Sequence, residues 1–324
     1  MRTNLLFAAF AALALVSCNE MPYSAPVAEG MLELNVEVPV ASTRVTGSAG
    51  TDDAVTNLQV FVFDHSSGVL EAYRNQNNTK SLKLTCLPGD KDIVALVNAP
   101  SCASIATMDA LQAKTSSLSD NAAGSLVMSG SVRKTLSSTD KSVTIDVSRI
   151  AAKVTLLSVK NAMELKVNQD KEFIVTGVYL INVAGSRKYL SDSTPGTWYH
   201  KMRYENTNTL SFLYDTPKVN LKYNEIYTNQ HHFYCYPNST STDANAGTWT
   251  PRKTRLVVEA TLGGEKCYYP VTLSEISQNT AYNVTLTVTR PGSLSPDIPI
   301  STEEATFTVN VKDWIDGTDY TETI

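Results

Sequence analysis

The sequence predicts an all-β protein of two related β-sandwich domains, on three observations. Short runs of alternating apolar and polar residues, rich in Val, Thr and Tyr, recur along the chain. Clusters of Gly, Asn, Asp, Ser and Pro separate these runs, as turns between strands require. The same order of strand cues also occurs twice.

The first element is not part of the fold. Arg2 precedes an apolar run over residues 5–16. Spanning a bilayer takes about 20 apolar residues, so this shorter run reads as the core of a signal peptide. It ends in Leu15-Val16-Ser17-Cys18, followed by the polar Asn19-Glu20. That ending resembles the bacterial lipobox, whose cysteine is lipidated and becomes the new N-terminus. Acyl chains such as palmitate on Cys18 would tether the exported protein to a membrane, because each buried CH₂ contributes about 0.8 kcal/mol.

Strands are predicted at residues 32–40, 58–63, 93–97, 143–147, 152–157, 173–183, 232–236, 255–260, 282–288 and 305–311. One short helix is predicted over residues 104–113, with Ser104 or Thr107 as its cap and Leu111 facing inward. The duplication sets residues 32–38 and 57–64 against 152–159 and 176–183. It further sets 93–100 against 232–238, and 144–147 against 307–311. The domain boundary then falls near Ser148, giving domains over 45–148 and 149–324.

Composition excludes several functions. The net charge of −5 and the lack of a basic stripe argue against nucleic acid as a partner. Beyond Cys18, the cysteines Cys86, Cys102, Cys235 and Cys267 form no CxxC pair, so a zinc site is not expected. They allow either Cys86–Cys102 and Cys235–Cys267 disulfides or four buried thiols. The four histidines include the neighbours His231 and His232, which a strand would send to opposite faces. No catalytic or nucleotide-binding motif occurs, so neither an enzyme nor a cofactor or metal is expected. Trp198-Tyr199 and Trp249 sit in polar stretches, where they would either meet a glycan or receptor or cover the edge of a core.

Four features together resemble a known family. They are the lipobox at Cys18, Arg44 within Ala41-Ser-Thr-Arg-Val45, the run Arg149-Ile-Ala-Ala-Lys-Val154, and the C-terminal Val309-Asn-Val-Lys-Asp-Trp314. In this order and spacing they resemble the fimbrillins, the pilin subunits of Bacteroidetes (type V pili). The resemblance implies two transthyretin-like Greek-key sandwiches and export as an outer-membrane lipoprotein. It also implies maturation by a trypsin-like protease, and polymerisation by donor-strand exchange with copies of itself and other fimbrial subunits. The mature protein would then stand in a cell-surface fimbrium and support adhesion to a host or bacterial receptor.

The residues suit that mechanism. Leu32, Leu34, Val36, Val38 and Val40 alternate with polar residues, so all five face one way. This strand lies in the pro-segment 19–44 and is the part to be removed. Pro39 cannot donate to a ladder, which predicts a position at or near a sheet edge. Arg44 follows in a small, polar stretch of the kind proteases cut, so cleavage is expected between Arg44 and Val45. The candidate donor lies at the other end, in Phe307, Val309, Val311, Trp314, Ile315, Tyr320 and Ile324. A rival reading shares the signal, the lipid and the fold: a permanently lipid-anchored outer-membrane protein that binds carbohydrate or peptide and does not polymerise.

Overall fold

A computed structural model describes residues 30–39, 52–201, 210–242, 249–300, 305–310 and the backbone of 311–313 and 320–323. Cys18, Val40, Arg44, Val45, Trp314, Ile315 and Ile324 lie outside these residues. The regular structure of the described residues is nearly all β-strand.

The first set of strands is β1 (Leu32–Glu37), β2 (Asn57–Asp64), β3 (Leu70–Asn77), β4 (Ser81–Cys86), β5 (Gly89–Val97), β6 (Thr115–Ser117), β7 (Met128–Leu136), β8 (Ser142–Thr144) and β9 (Ser148–Arg149). They form a small sheet ordered β4-β1-β8 and a larger one ordered β3-β2-β5-β7-β9. The two sheets enclose one core, in which Leu34, Val36, Val60, Val62, Ile93 and Ala95 are fully buried. β5 is apolar on both faces, because Val94 and Leu96 point away from this core into a second one. That second face is covered by the β5–β7 connection. It carries the helix α1 (Met108–Ala113), capped by Thr107 through its acceptance of the Ala110 N–H at 3.2 Å, with Leu111 buried. Both the helix and its inward leucine follow the sequence expectation.

The second set runs β10 (Ala152–Asn161), β11 (Phe173–Ile181), β12 (Val183–Ala184), β13 (Ser186–Lys188), β14 (Trp198–Tyr199), β15 (Tyr214–Asp215), β16 (Val219–Asn220) and β17 (Ile226–Tyr227). It continues with β18 (His231–Cys235), β19 (Arg255–Leu262), β20 (Glu265–Thr272), β21 (Thr280–Val288), β22 (Ala305–Asp313) and β23 (Tyr320–Thr323). One sheet is ordered β17-β10-β21-β22-β23, with β18 also on β10; the facing sheet is ordered β15-β11-β19-β20, with β16 also on β11.

The two sets share a plan. β1 lies between antiparallel β4 and parallel β8, as β10 lies between antiparallel β18 and parallel β21. Likewise β2 pairs with β5 and β5 with β7, as β11 pairs with β19 and β19 with β20. The duplication read from the sequence therefore holds for its first two matches and is corrected for the others. β18 answers to β4 and not to β5. β8 answers to β21, because both lie parallel to the first strand of their set. β22 and β23 have no counterpart in the first set.

The halves are joined by more than the chain. β6 pairs with β13, the Tyr236 hydroxyl donates to Ser116 Oγ at 2.7 Å, and the Ser129 hydroxyl to the Tyr189 carbonyl. The apolar cluster that fills the second sandwich continues beneath β5 without a break.

Cys86, Cys102, Cys235 and Cys267 are free thiols, and neither disulfide is formed. Cys86 belongs to the first core and Cys102 to the second, so the β5 sheet stands between them. Burial raises all four thiols, Cys86 to about 11 and Cys235 to about 12. Because the thiolate is the reactive form, none of the four should react with iodoacetamide at pH 8 until the protein is unfolded in urea. Mass spectrometry of the alkylated chain reads this directly, and fast labelling of any one in the folded protein would contradict the assignment.

Candidate functional site

The site is the slot that β1 occupies. Val alternating with Glu and Asn favours an extended strand with one apolar face. Leu32, Leu34, Val36 and Val38 are all buried, while Glu33 and Glu37 are exposed. Burying four such side chains contributes roughly 1.5–3 kcal/mol each.

Pro39 predicts a place at or near an edge, and β1 takes the second of these: it is one strand in from each edge of a three-stranded sheet. β1 is the central strand of its sheet, paired with β4 from Leu32↔Cys86 to Glu37↔Ser81 and with β8 from Asn35↔Ser142 to Glu37↔Thr144. Pro39 lies beyond the end of the strand, where no ladder bond is needed. The Val38 N–H still donates to the Lys80 carbonyl at 2.9 Å. On the β8 side, the Asn35 N–H donates to Lys141 at 2.8 Å and the Ile145 N–H donates to Glu37 at 2.9 Å.

The slot has two walls and a floor. Leu82, Leu84 and Cys86 of β4 form one wall; Val143 and Ile145 form the other. The floor is the inner face of β2 and β5. Gly130 of β7 lets the second wall sit close, since a Cβ there would lie 2.1 Å from the Asp146 carbonyl oxygen. The outer edges carry basic side chains that discourage further pairing. Arg74 Nη1 donates to the Lys83 carbonyl at 2.6 Å on β4, and Lys134 Nζ lies 3.4 Å from the Ser142 carbonyl on β8. The alternation Ser-Leu-Lys-Leu-Thr-Cys in β4 was a strand signal that the sequence reading passed over.

Of the candidate donor residues, Phe307 and Val309 lie in β22, with Val309 buried and Phe307 packed on the second core. The backbone of Val311 pairs with Tyr282 on one side and Tyr320 on the other. β22 is thus an inner strand of this chain's own sheet, and the four-residue β23 lies at the sheet's edge.

Other candidates have structural duties. Trp198 is buried, with its ring 5.4 Å from that of Trp249, and Tyr199 meets Phe212 edge-on. These aromatics cover a core edge. His231 bonds Asp215 at 2.7 Å and Tyr227 at 2.9 Å, whereas His232 turns to Thr155 at 2.9 Å. Among the described residues no cluster of His, Cys, Asp or Glu could hold a metal ion. No helix there is long and apolar enough to cross a membrane.

Residues 31–171 match the family described as the major fimbrial subunit protein, FimA. Over this stretch, under half of the chain, it is similar to the fimbrial subunit family. The matched span opens at the slot strand and runs through the whole first set. The fold agrees with solved structures at low identity. A fimbrilin from Porphyromonas gingivalis superposes with a TM-score of 0.64 at 15% identity, over 87% of this chain and 97% of that one. A candidate cell adhesion protein from Bacteroides eggerthii gives 0.67 at 21% identity, over 88% and 96%. The tip fimbrial protein Mfa3 from P. gingivalis, truncated at its C-terminus, gives 0.56 at 15% identity, over 88% and 100%. The resemblance to the fimbrillins and the all-β sandwich fold are both borne out. The matched family is one of structural subunits and not of enzymes.

The slot has an energetic consequence. Leu34→Ala removes a fully buried side chain from the middle of β1, and is expected to destabilise the uncut protein by about 2–5 kcal/mol. Urea denaturation measures the change; a loss below about 0.5 kcal/mol, the range of ordinary surface changes, would mean that β1 is not seated as described.

Proposed function

We propose that this chain is a fimbrial subunit assembled by donor-strand exchange through the β1 slot. The carrying observation is that β1 is central in its sheet but is connected to the rest of the fold only through residues 40–51, which contain Arg44. A cut between Arg44 and Val45 severs the strand from everything downstream. It also severs the lipid on Cys18, which anchors the precursor to the outer membrane. Departure of β1 leaves two unpaired edges, β4 and β8, above an apolar floor. Such a slot captures an extended segment by ladder bonds and by pockets for alternate side chains.

The donor comes from the C-terminal strands of another subunit. Two features support this. β22 and β23 are additions with no counterpart in the first set, and β23 holds to the sheet along one side only. The apolar alternation of Phe307, Val309 and Val311 resembles that of β1. The domain division at Ser148 belongs to the same reading: the first sandwich, 45–148, accepts, and the second, 149–324, donates. No nucleotide or metal enters, because burial and ladder formation drive the exchange. A receptor on a host or bacterial surface completes the adhesive role.

Two variants test the reading. Arg44→Ala is expected to yield a folded, lipid-bound protein that keeps its own strand and forms no filaments. Sequencing of the surface protein's N-terminus, with electron microscopy, reads both points; filaments of Arg44→Ala protein would exclude that cleavage site. Deletion of residues 314–324 is expected to leave folding intact and stop chain growth. Normal polymerisation of the truncated protein would move the donor elsewhere. Uniform retention of lipidated Cys18 in the wild type would instead favour the permanently anchored binding protein.

A further inference from the structure

The run Arg149-Ile-Ala-Ala-Lys153 has a physical role that the slot does not account for. Arg149 and Lys153 flank the junction between the first and second sets of strands. Both reach back to Asp52 and Asp53, just after residues 40–51. Lys153 Nζ lies 2.8 Å from Asp52 Oδ2. The Tyr234 hydroxyl donates to Asp52 Oδ1 at 2.6 Å. Arg149 Nε donates to the Asp52 main-chain carbonyl at 3.2 Å, and its guanidinium pairs with the Asp53 carboxylate. Arg149 Nη1 also donates to Asn279 Oδ1 at 3.1 Å, which ties in the start of β21. Arg149 is 3% exposed and Asp52 7%, so solvent screens these contacts little.

The next residues are held too. Asn98, itself buried, receives the Thr56 N–H on its Oδ1 at 2.8 Å and donates from Nδ2 to the Ala54 carbonyl at 2.8 Å and the Leu126 carbonyl at 2.9 Å. Residues 52–56 are therefore fixed at both ends by side chains from β9, β10, β18 and the end of β5.

We infer that Arg149, Lys153 and Tyr234, acting on Asp52 and Asp53, form a clamp that sets the downstream limit of the segment that can leave. This inference rests on the exchange reading and deepens it. Withdrawal of β1 takes core contacts from β2, which begins five positions after Asp52. Without an anchor, loss of β1 would propagate into β2 and collapse the acceptor before a donor arrived. The clamp takes its strength from β9, β10 and β18, none of which leaves on exchange. The open acceptor is thus held in register from the junction and from the other half of its own subunit. Its members are positioning residues, since none touches the slot.

The test uses the full chain, cut in vitro with an arginine-specific protease and then exposed to a broad-specificity one, with fragment N-termini read by mass spectrometry. In the wild type, trimming should stop at or before Asp52 and leave β2 protected from hydrogen exchange. In Asp52→Asn/Asp53→Asn, trimming should pass residue 57 at least tenfold faster. The uncut variant should keep wild-type protection in β11 and β19, a readout that separates loss of the clamp from general misfolding. Where the variant folds poorly, the exchanged pair Asp52→Lys/Lys153→Asp serves instead: it should restore the stop that Lys153→Asp alone abolishes. Wild-type trimming that runs past residue 57, or variants that stop where the wild type stops, would overturn the clamp. Because the protease is added, neither result depends on whether cells cut at Arg44, which N-terminal sequencing decides separately.

Discussion

The structure depends on one strand that is central in space and peripheral in sequence. β4 and β8 belong to the same sheet only because β1 lies between them. β8 is three residues long and cannot hold a position alone, since short isolated pairs are marginal in water. The core beneath is built from every second residue of β1, β2, β4 and β5. The first sandwich therefore needs some strand in that place, and the requirement is for alternating apolar side chains and a free backbone ladder. Neither demands that the strand come from the same end of the chain, or from the same chain.

If β1 is exchanged as proposed, the other parts of the fold must keep their places meanwhile. Here the second face of β5 rests on a connection that belongs as much to the second sandwich as to the first. Gln59, fully buried, donates to the Ala99 carbonyl at 2.9 Å and accepts from the Cys102 N–H at 2.9 Å, which fixes that connection to the sheet. Asn121 and Tyr236 join it to the second set at 2.9 Å. Buried, satisfied polar pairs of this kind allow few alternative packings. The larger sheet thus has one face that depends on β1 and one that does not.

Much of this was legible in the sequence. The strands richest in Val, Leu and Ile were found because burial on one or both faces leaves a period-two or continuous apolar signature, as in residues 93–97. The burial of Leu32, Leu34, Val36 and Val38 followed from the same rule. What could not be read was adjacency. Pro39 points to a place at or near an edge because it bars a ladder bond, and β1 is one strand in from both edges; but the strand ends before Pro39, and alternation does not say which neighbours a strand has. The polar β3 escaped notice for a different reason: Arg74-Asn75-Gln76-Asn77 is exposed, so its pairing with β2 leaves no hydrophobic trace. The later duplication matches failed because similar alternation does not distinguish β5 from β4. The Arg149–Lys153 run was recognisable only as a motif, because its partners, Asp52 and Asp53, lie nearly a hundred residues away.

On the proposed reading, the duplication gives the exchange a direction. β10 holds the place in the second sheet that β1 holds in the first, yet β10 continues from the junction at Arg149 and runs into the rest of its sandwich. It cannot be released by one cut. The vacancy can therefore open only in the first half, while the surplus strands β22 and β23 occur only in the second. A vacancy at one end and a surplus at the other are different surfaces, so the contact between two copies is heterologous. Each union leaves one vacancy and one surplus unused, and a contact of that kind propagates unless its rotation happens to close a ring. On the proposed reading, then, a linear assembly follows from where the repeat is incomplete, with no further interface required to start it.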